Sequence, residues 1–173
     1  MEELKVTKAS VDDLAAIQRI GRQTFFETFA GSNTGADMDK YLEENFSNKK
    51  IETELETPGT AFFMAKSDDT PVGYLKLNSG KAQTELQDDT SLEIERIYVL
   101  ADYHGKKVGQ LLLDKALEQA VLQNKSYVWL GVWEENTKAI KFYAKNGFEA
   151  FDKHIFRLGN DEQIDIMMKK EIR

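Results

Sequence analysis

Apolar residues recur at helical spacing, three to four residues apart, in four segments of the chain, and they follow strand patterns in the segments between them. The helix from 107 to 123 is the most regular of these, with an apolar face formed by Val108, Leu111, Leu112, Leu117, Ala120 and Val121. The predicted helices cover residues 14–29, 38–55, 107–123 and 136–145. The predicted strands cover residues 4–8, 61–65, 72–77, 92–100, 127–132, 148–156 and 163–168.

Local signals mark several ends of these elements. Ser10, followed by Asp13, is typical of a helix N-cap, and Asn136 is a good N-cap for the last helix. Asp68 and Asp69 predict the turn of a hairpin. The order of strand, helix, helix, three strands, helix, strand, helix and two strands predicts a mixed α/β fold with six or seven strands and four helices.

The composition indicates one domain over residues 1–173 and narrows its chemistry. The chain has no cysteine, which excludes thiolate metal sites and cysteine nucleophiles, and two histidines are too few for an all-histidine zinc site. A net charge of −7 disfavours binding to nucleic acid and favours a cationic small molecule. No apolar run approaches the ~20 residues needed to span a bilayer, so we expect a cytoplasmic protein without membrane contact or metal.

A glycine-bearing loop, Tyr103 to Gln110 (YHGKKVGQ), joins strand 92–100 to the helix that follows it. The first amides of that helix lack intrahelical partners, and the helix dipole adds partial positive charge at the same end. The side chains of Lys106 and Lys107 add positive charge at the same end of the helix. The loop therefore predicts a site for a phosphate or pyrophosphate, with a tight turn carrying solvated lysines as the open alternative.

The last predicted helix carries Ala139 and Tyr143 on one face, four residues apart. Packing against the sheet accounts for Ile140, Phe142 and Phe148. A buried phenol needs a hydrogen-bond partner, so packing alone explains Tyr143 less well.

The two segments together resemble the GNAT superfamily of acyl-CoA-dependent N-acyltransferases, in the motifs [QR]-x-x-G-x-[GA] and N-x-x-A-x-x-x-Y and in the order of elements. The segments LEIERIYV and WLGVWE are similar to those of bacterial PaiA-type spermidine/spermine acetyltransferases. Two residues depart from the motif: His104 stands at the Gln/Arg position, and Lys107 replaces a glycine. We expect the loop to keep its function if Lys107 takes right-handed helical angles.

The resemblance implies a mostly antiparallel sheet with splayed central strands, and acetyl-CoA as co-substrate. The backbone of Ile97, Tyr98 and Val99 would pair with the pantetheine arm where strand 92–100 splays from strand 127–133. Tyr143 would face the sulfur as general acid. The other implied cofactor contacts are His104, Gly105, Lys106, Lys107, Val108, Gly109, Gln110, Asn136, Ala139, Phe142 and Lys145.

Glu93 and Glu95 are the candidate bases, with Glu93 nearer the position of the base in related acetyltransferases. An alkyl ammonium with a pKa of ~10.4 is deprotonated in only about one molecule in a few thousand at neutral pH. A carboxylate is a poor direct acceptor for that proton, so we expect transfer through a water. Strand alternation predicts both glutamates on the same face as Ile97 and Val99. An ion pair between either glutamate and Arg96 or a lysine is the open alternative.

For the acceptor, Glu27, Trp133 and Glu135 predict an acidic entrance with aromatic walls, and a solvated helix face with an acidic loop is the alternative. The favoured reaction is acetylation of a primary amine of spermidine or spermine by direct attack. The alternatives are an acetyltransferase for a protein N-terminus, a lysine or another small amine, and a non-catalytic acyl-CoA-binding regulatory domain. A homodimer is a possible assembly.

Overall fold

The structure is a computed structural model that describes residues 3–32 and 34–172. Its strands are β1 (Leu4–Lys8), β2 (Thr60–Ser67), β3 (Thr70–Ser79), β4 (Ser91–Val99), β5 (Tyr127–Trp133), β6 (Glu149–Leu158) and β7 (Asp161–Glu171). Its α-helices are α1 (Leu14–Phe29), α2 (Gly35–Asn45), α3 (Asn48–Glu56), α4 (Val108–Leu122) and α5 (Thr137–Lys145). No helix within the described ranges is both long and apolar enough to cross a membrane.

The strands form one mixed sheet in the order β1-β2-β3-β4-β5-β7-β6. All neighbouring pairs are antiparallel except β4 and β5, which are parallel and are connected through α4. The predicted mixed α/β fold with splayed central strands is confirmed. The predicted cap at Ser10 is also present, on the 3-10 turn Val11–Asp13 that leads into α1. The Ser10 hydroxyl accepts a hydrogen bond from the Asp12 N–H at 3.3 Å, and the Asp13 carboxylate accepts one from the Ser10 N–H at 3.0 Å.

The predicted helix 38–55 is two helices, α2 and α3, which are separated at Phe46 and Ser47. The Ser47 hydroxyl caps α3 by accepting a hydrogen bond from the Lys50 N–H at 3.2 Å. The break lets Phe46 turn into the core, where it is 1% exposed. Apolar spacing continues through the break, so the periodicity alone did not show it.

Each face of the sheet covers its own core. On one face α4 and α5 pack on the sheet, with Leu112, Leu113 and Ala116 fully buried. On the other face, α1, α2 and α3 enclose a core rich in aromatic rings. Val121 is 55% exposed, so the predicted apolar face of α4 was wrong at that position.

The parallel pairing between β4 and β5 covers only 91–94 and 127–130. Beyond Ile94, β4 remains paired with β3, while β5 remains paired with β7. The two central strands therefore separate, and a cleft opens between them in the middle of the sheet.

A β-bulge lies at this point of divergence. Lys76 pairs with Arg96 and Leu77 pairs with Ile94, so Glu95 is an extra residue in β4. The bulge interrupts the alternation of faces along the strand. Ile97 and Val99 pack in the core beneath α4, whereas Glu95 and Arg96 both form ion pairs with side chains on the α3 side. The predicted common face of the two glutamates with Ile97 and Val99 was therefore wrong.

Candidate active site

A cavity of about 960 Å³ fills the cleft between the diverging strands. It extends from the N-terminus of α4 on one side of the sheet to a pocket between α1, β6 and β7 on the other. The backbone of Ile97, Tyr98 and Val99 lines its middle, as the resemblance implied. One continuous cavity thus joins the loop predicted to bind phosphate to the region predicted for the acceptor.

The loop before α4 lines the α4 end of the cavity. Lys107, the residue before the helix, has φ 68° and ψ 15°, which is left-handed, so the expected right-handed angles were wrong. A lysine tolerates this conformation at a cost of about 1–2 kcal/mol, which a glycine would not incur. The loop therefore keeps a glycine-type turn with a lysine in the glycine position. The first residues of α4, whose amides have no partner within the helix, line the cavity.

The side chains of this loop have different surroundings. The lining residues are Tyr103, His104, Gly105, Lys107, Val108, Gly109 and Gln110. Lys106 does not line the cavity, and its ammonium lies 4.9 Å from the centre of the Tyr103 ring. Its contact with the cofactor stays a prediction. A Cβ at Gly109 would meet only Phe142 Cζ, at 3.9 Å, which leaves open space in front of the helix for a pyrophosphate.

Helix α5 forms the second wall at this end. Asn136 caps the helix by accepting a hydrogen bond from the Ala139 N–H at 3.2 Å. The predicted residues Asn136, Ala139, Phe142 and Lys145 all line the cavity, together with Lys138, which the sequence analysis missed. The side chain of Gln110 donates to Asn146 Oδ1 at 3.0 Å and so links α4 to α5.

Tyr143 lies on α5 and lines the cavity with 9% of its surface exposed. Its ring contacts those of Phe142 and Phe148 edge-on, with centroids 5.3 and 5.7 Å apart. Burial raises the pKa of the phenol well above its usual range. Tyr143 therefore keeps its proton at neutral pH and can act as a hydrogen-bond donor.

Glu93 is 3% exposed and lines the cavity on the α3 side of the sheet. Its carboxylate accepts hydrogen bonds from the Asn78 amide, the Thr84 N–H and the Thr84 hydroxyl at 3.0, 2.8 and 2.5 Å. Burial raises the pKa of Glu93 above its ordinary value, although these donors oppose the increase. Glu93 is thus a stronger base than an exposed glutamate.

Glu95 belongs to a buried network of four charges. Lys76 lies 2.8 Å and Arg96 lies 3.3 Å from its carboxylate. The same two cations contact Glu54 on α3 at 2.6 and 3.2 Å. Burial raises the pKa of Glu95, but the charges of Arg96 and Lys76 outweigh that effect and place it below the ordinary value. Glu95 is therefore the weaker base of the two, and the alternative of an ion-paired glutamate describes it.

Replacement of Glu54 by glutamine is expected to lower the free energy of unfolding by about 3 kcal/mol, because two buried cations lose a charged partner. The Lys76 and Arg96 side chains are only 6% and 10% exposed, so water does not take the place of the lost Glu54 carboxylate. Urea denaturation measures the change, with Glu52→Gln on the exposed side of the same helix as the control. Equal stability of the two variants would contradict a stabilising role for the network.

The acceptor end of the cavity has aromatic walls. Trp133 lines the cavity, its ring centre lies 4.6 Å from that of Phe29, and its indole N–H donates to Gln163 at 2.8 Å. The rings of Phe25, Phe29, Tyr41, Phe46 and Phe156 also line this end. Glu27 and Glu135 are exposed and do not line the cavity, because α1 directs Phe25 and Phe29 inward and the loop after β5 lies at the surface.

The carboxylate of Asp165, and not that of Glu27 or Glu135, lies at this end of the cavity. Asp165 on β7 lines the cavity beside His154 on β6, with 3.5 Å between Oδ2 and the histidine Nε2. A Cβ at Gly131, the first residue of β5 past its pairing with β4, would lie 3.5 Å from Asp165 Oδ2. Burial raises the pKa of Asp165. This end of the cavity therefore holds a partly desolvated carboxylate next to the point where the strands diverge.

Besides Lys138 on α5, the sequence analysis missed four polar residues of the site: Asn78, Thr84, His154 and Asp165. They lie on β3, on the loop before β4, and on the last two strands, far from either motif. Asp165 stands between Ile164 and Ile166, so strand alternation places it on the opposite face of β7 from both, but this pattern does not show that the face lines a cavity.

The Acetyltransferase (GNAT) family model matches residues 22–148 of this chain. An uncharacterized N-acetyltransferase of Lactobacillus delbrueckii subsp. lactis is 40% identical over 172 residues, which cover 99% of both chains. The chain therefore belongs to the acetyltransferase (GNAT) family. It is an N-acetyltransferase that takes its acetyl group from acetyl-CoA, as the resemblance implied.

More distant relatives differ in their acceptors. A spermidine N(1)-acetyltransferase of Thermoplasma acidophilum is 27% identical over 86% of this chain and 90% of its own length. The crystal structure of PaiA N-acetyltransferase from T. acidophilum with coenzyme A covers 98% of this chain and 99% of its own, with a TM-score of 0.80 and 24% identity. The ribosomal-protein-S18-alanine N-acetyltransferase of Escherichia coli covers 98% of this chain at a TM-score of 0.74 and 15% identity. The likeness to both structures shows that the fold is shared. A shared fold does not determine which acceptor an enzyme acetylates.

Proposed function

We propose that this N-acetyltransferase acetylates a primary amine of a polyamine. The observation that carries the proposal is the acceptor end of the cavity, where the carboxylates of Glu93 and Asp165 accompany a wall of aromatic rings. Carboxylates attract ammonium groups, and aromatic faces bind cations and methylene chains. The distant spermidine N(1)-acetyltransferase supports the same acceptor class.

In the proposed reaction the neutral amine attacks the thioester carbonyl directly, so that an N–C bond forms and the C–S bond breaks. Glu93 accepts the ammonium proton through a water, for which its raised pKa suits it better than Glu95. A backbone N–H of β4 at the bulge polarises the carbonyl. Acetyl-CoA, when bound, supplies the acetyl group as a thioester.

Tyr143 donates a hydrogen bond to the developing thiolate. A phenol has an ordinary pKa of ~10 against ~8.5 for a thiol, so full proton transfer to sulfur is uphill, and burial of Tyr143 makes it more so. The role of Tyr143 is therefore to stabilise negative charge, and the thiolate takes its proton from the product ammonium.

A thiol-detection assay with an amine panel tests this function. We expect CoA release to be fastest with spermidine or spermine and slower with lysine peptides and aminoglycosides. Release with peptides alone would identify a protein acetyltransferase. Absence of release with every amine would identify a regulatory acyl-CoA-binding domain and overturn the proposal.

Replacement of Asp165 by asparagine is expected to raise the KM for spermidine about ten- to a hundred-fold, because the second ammonium group loses a negatively charged partner. The KM for butylamine, which has one ammonium, should change less than about twofold. Glu162→Gln, an exposed carboxylate on the same strand, is the matched control. An equal rise with both amines would assign Asp165 to structure rather than to a second ammonium group.

A further inference from the structure

The loop between β3 and β4 is irregular, yet its middle is anchored firmly to the sheet. Gln83 is 2% exposed, and its Oε1 accepts hydrogen bonds from the Trp129 indole N–H and the Ser91 hydroxyl, both at 2.7 Å. Its Nε2 donates to two carbonyls of the same loop, at 3.2 and 3.0 Å. These bonds fix the position of the next residue, Thr84, which lines the cavity beside Glu93.

Thr84 and Asn78 occupy most of the hydrogen-bonding capacity of Glu93. Oε1 accepts from the Asn78 amide and the Thr84 N–H, and Oε2 accepts from the Thr84 hydroxyl. A carboxylate offers about four acceptor positions, so one position on Oε2 remains for a water or the amine. The orientation of the Asn78 amide is fixed too, because its oxygen accepts from the Thr60 hydroxyl at 3.0 Å.

All the donors to Glu93 are electrically neutral. In the described part of the chain, the nearby cations Lys76 and Arg96 pair with Glu54 and Glu95 and form no ion pair with Glu93. The charged or titratable groups around Glu93 are Glu95 and Arg96 on β4, Lys76 on β3, Glu54 on α3, Glu85 on the loop, and His154 and Asp165 across the cavity. Burial raises the pKa of Glu93 most, and the neutral hydrogen bonds that oppose this rise can be removed by single substitutions.

We infer that Thr84 is a positioning residue for the acetyl transfer: with Asn78 it holds the Glu93 carboxylate so that one acceptor position of Oε2 is left to receive the proton. The inference rests on the proposed role of Glu93 as the base. Thr84 itself neither gives nor takes a proton in the reaction.

The sign of the expected pH effect follows from these bonds. Burial is the largest influence and raises the pKa of Glu93, and the Thr84 hydroxyl lowers it by stabilising the charged form. Loss of that hydroxyl raises the pKa further. The acid limb of the kcat profile then moves to higher pH, by about one unit for one hydrogen bond to a charged group.

The matched variants are Thr84→Val, which keeps the shape and loses the hydroxyl, and Thr84→Ser, which keeps the hydroxyl. We expect Thr84→Val to lower kcat about tenfold and to shift the acid limb upward by about one pH unit, with the KM for acetyl-CoA unchanged. Thr84→Ser should restore the wild-type profile. Asn78→Asp places a third carboxylate beside Glu93 and should shift the limb in the same direction.

A ¹³C NMR titration of the glutamate carboxyls gives a readout that does not depend on turnover, with Glu93→Gln identifying the resonance. We expect the pKa of Glu93 to rise in Thr84→Val and to return in Thr84→Ser. An unchanged pKa in Thr84→Val would overturn the inference. If the pKa of Glu93 rises in Thr84→Val while Glu93→Gln retains full activity, Glu93 is not the base. The positioning role of Thr84 in catalysis is then overturned as well.

Discussion

Replacement of Tyr143 by phenylalanine is expected to lower kcat by about a hundred- to a thousandfold, the range for loss of a hydrogen-bond donor to developing negative charge. The phenol lies in a buried part of the cavity, where a hydrogen bond to a developing thiolate is stronger than in water. The contacts of its ring with Phe142 and Phe148 do not involve the hydroxyl, so the variant should fold normally. Steady-state kinetics with acetyl-CoA and spermidine measure the loss.

The control for this substitution is Tyr103→Phe, which removes a phenol from the same cavity at the end near the pyrophosphate loop. Its kcat should match that of the wild type within about twofold, because Tyr103 lies away from the proposed acetyl transfer. The affinity of Tyr143→Phe for CoA, measured by calorimetry, should also be unchanged. A wild-type kcat for Tyr143→Phe would assign the residue to packing.

Replacement of Gly109 by valine is expected to weaken CoA binding by about a hundredfold or more. The glycine lies in the first turn of α4 and lines the cavity. A branched side chain there projects into the space in front of the free amides. Loss of two hydrogen bonds to charged phosphate oxygens, at about 1.5–3 kcal/mol each, accounts for an effect of this size.

The fold should tolerate the valine, because the nearest atom to a Cβ at Gly109 is Phe142 Cζ at 3.9 Å. Gly35→Val, at the start of α2 with no atom within 4 Å of the new Cβ, is the control for a valine in a first helical turn. Isothermal titration with CoA compares the two variants. Wild-type affinity in Gly109→Val would show that the loop is only a turn.

The elements of the fold were largely predictable because their signals are local. The hairpin of β2 and β3, the cap at Ser10 and the helix ended at Gly147 all lie where short patterns placed them. The helix from 38 to 55 was the exception. Its break follows from Ser47 capping a new helix and from Phe46 turning into the core, and apolar spacing continues across it.

The cofactor end of the site was also predictable, since its residues follow one another along the loop and along α5. Gly105, Gly109, Asn136, Ala139 and Tyr143 all line the cavity. Lys107 shows the limit of that prediction. Its left-handed angles are set by how the loop must close between β4 and α4, and a lysine in place of the motif glycine gives no sign of them.

Apart from the division of α2 from α3, the sequence by itself determined the order of helices and strands, the position of the loop predicted to bind a pyrophosphate and the tyrosine that faces the cavity, because each depends on residues close together in the chain. Only the tertiary structure decided the chemistry of the acceptor end. The bulge at Glu95 changed which side chains of β4 share a face. Neutral donors contact the carboxylate of Glu93 and a cation contacts that of Glu95, so the two glutamates differ in basicity. Asp165, and not Glu27 or Glu135, lines the cavity. These outcomes depend on strand register and on contacts between residues tens of positions apart, which no local pattern records.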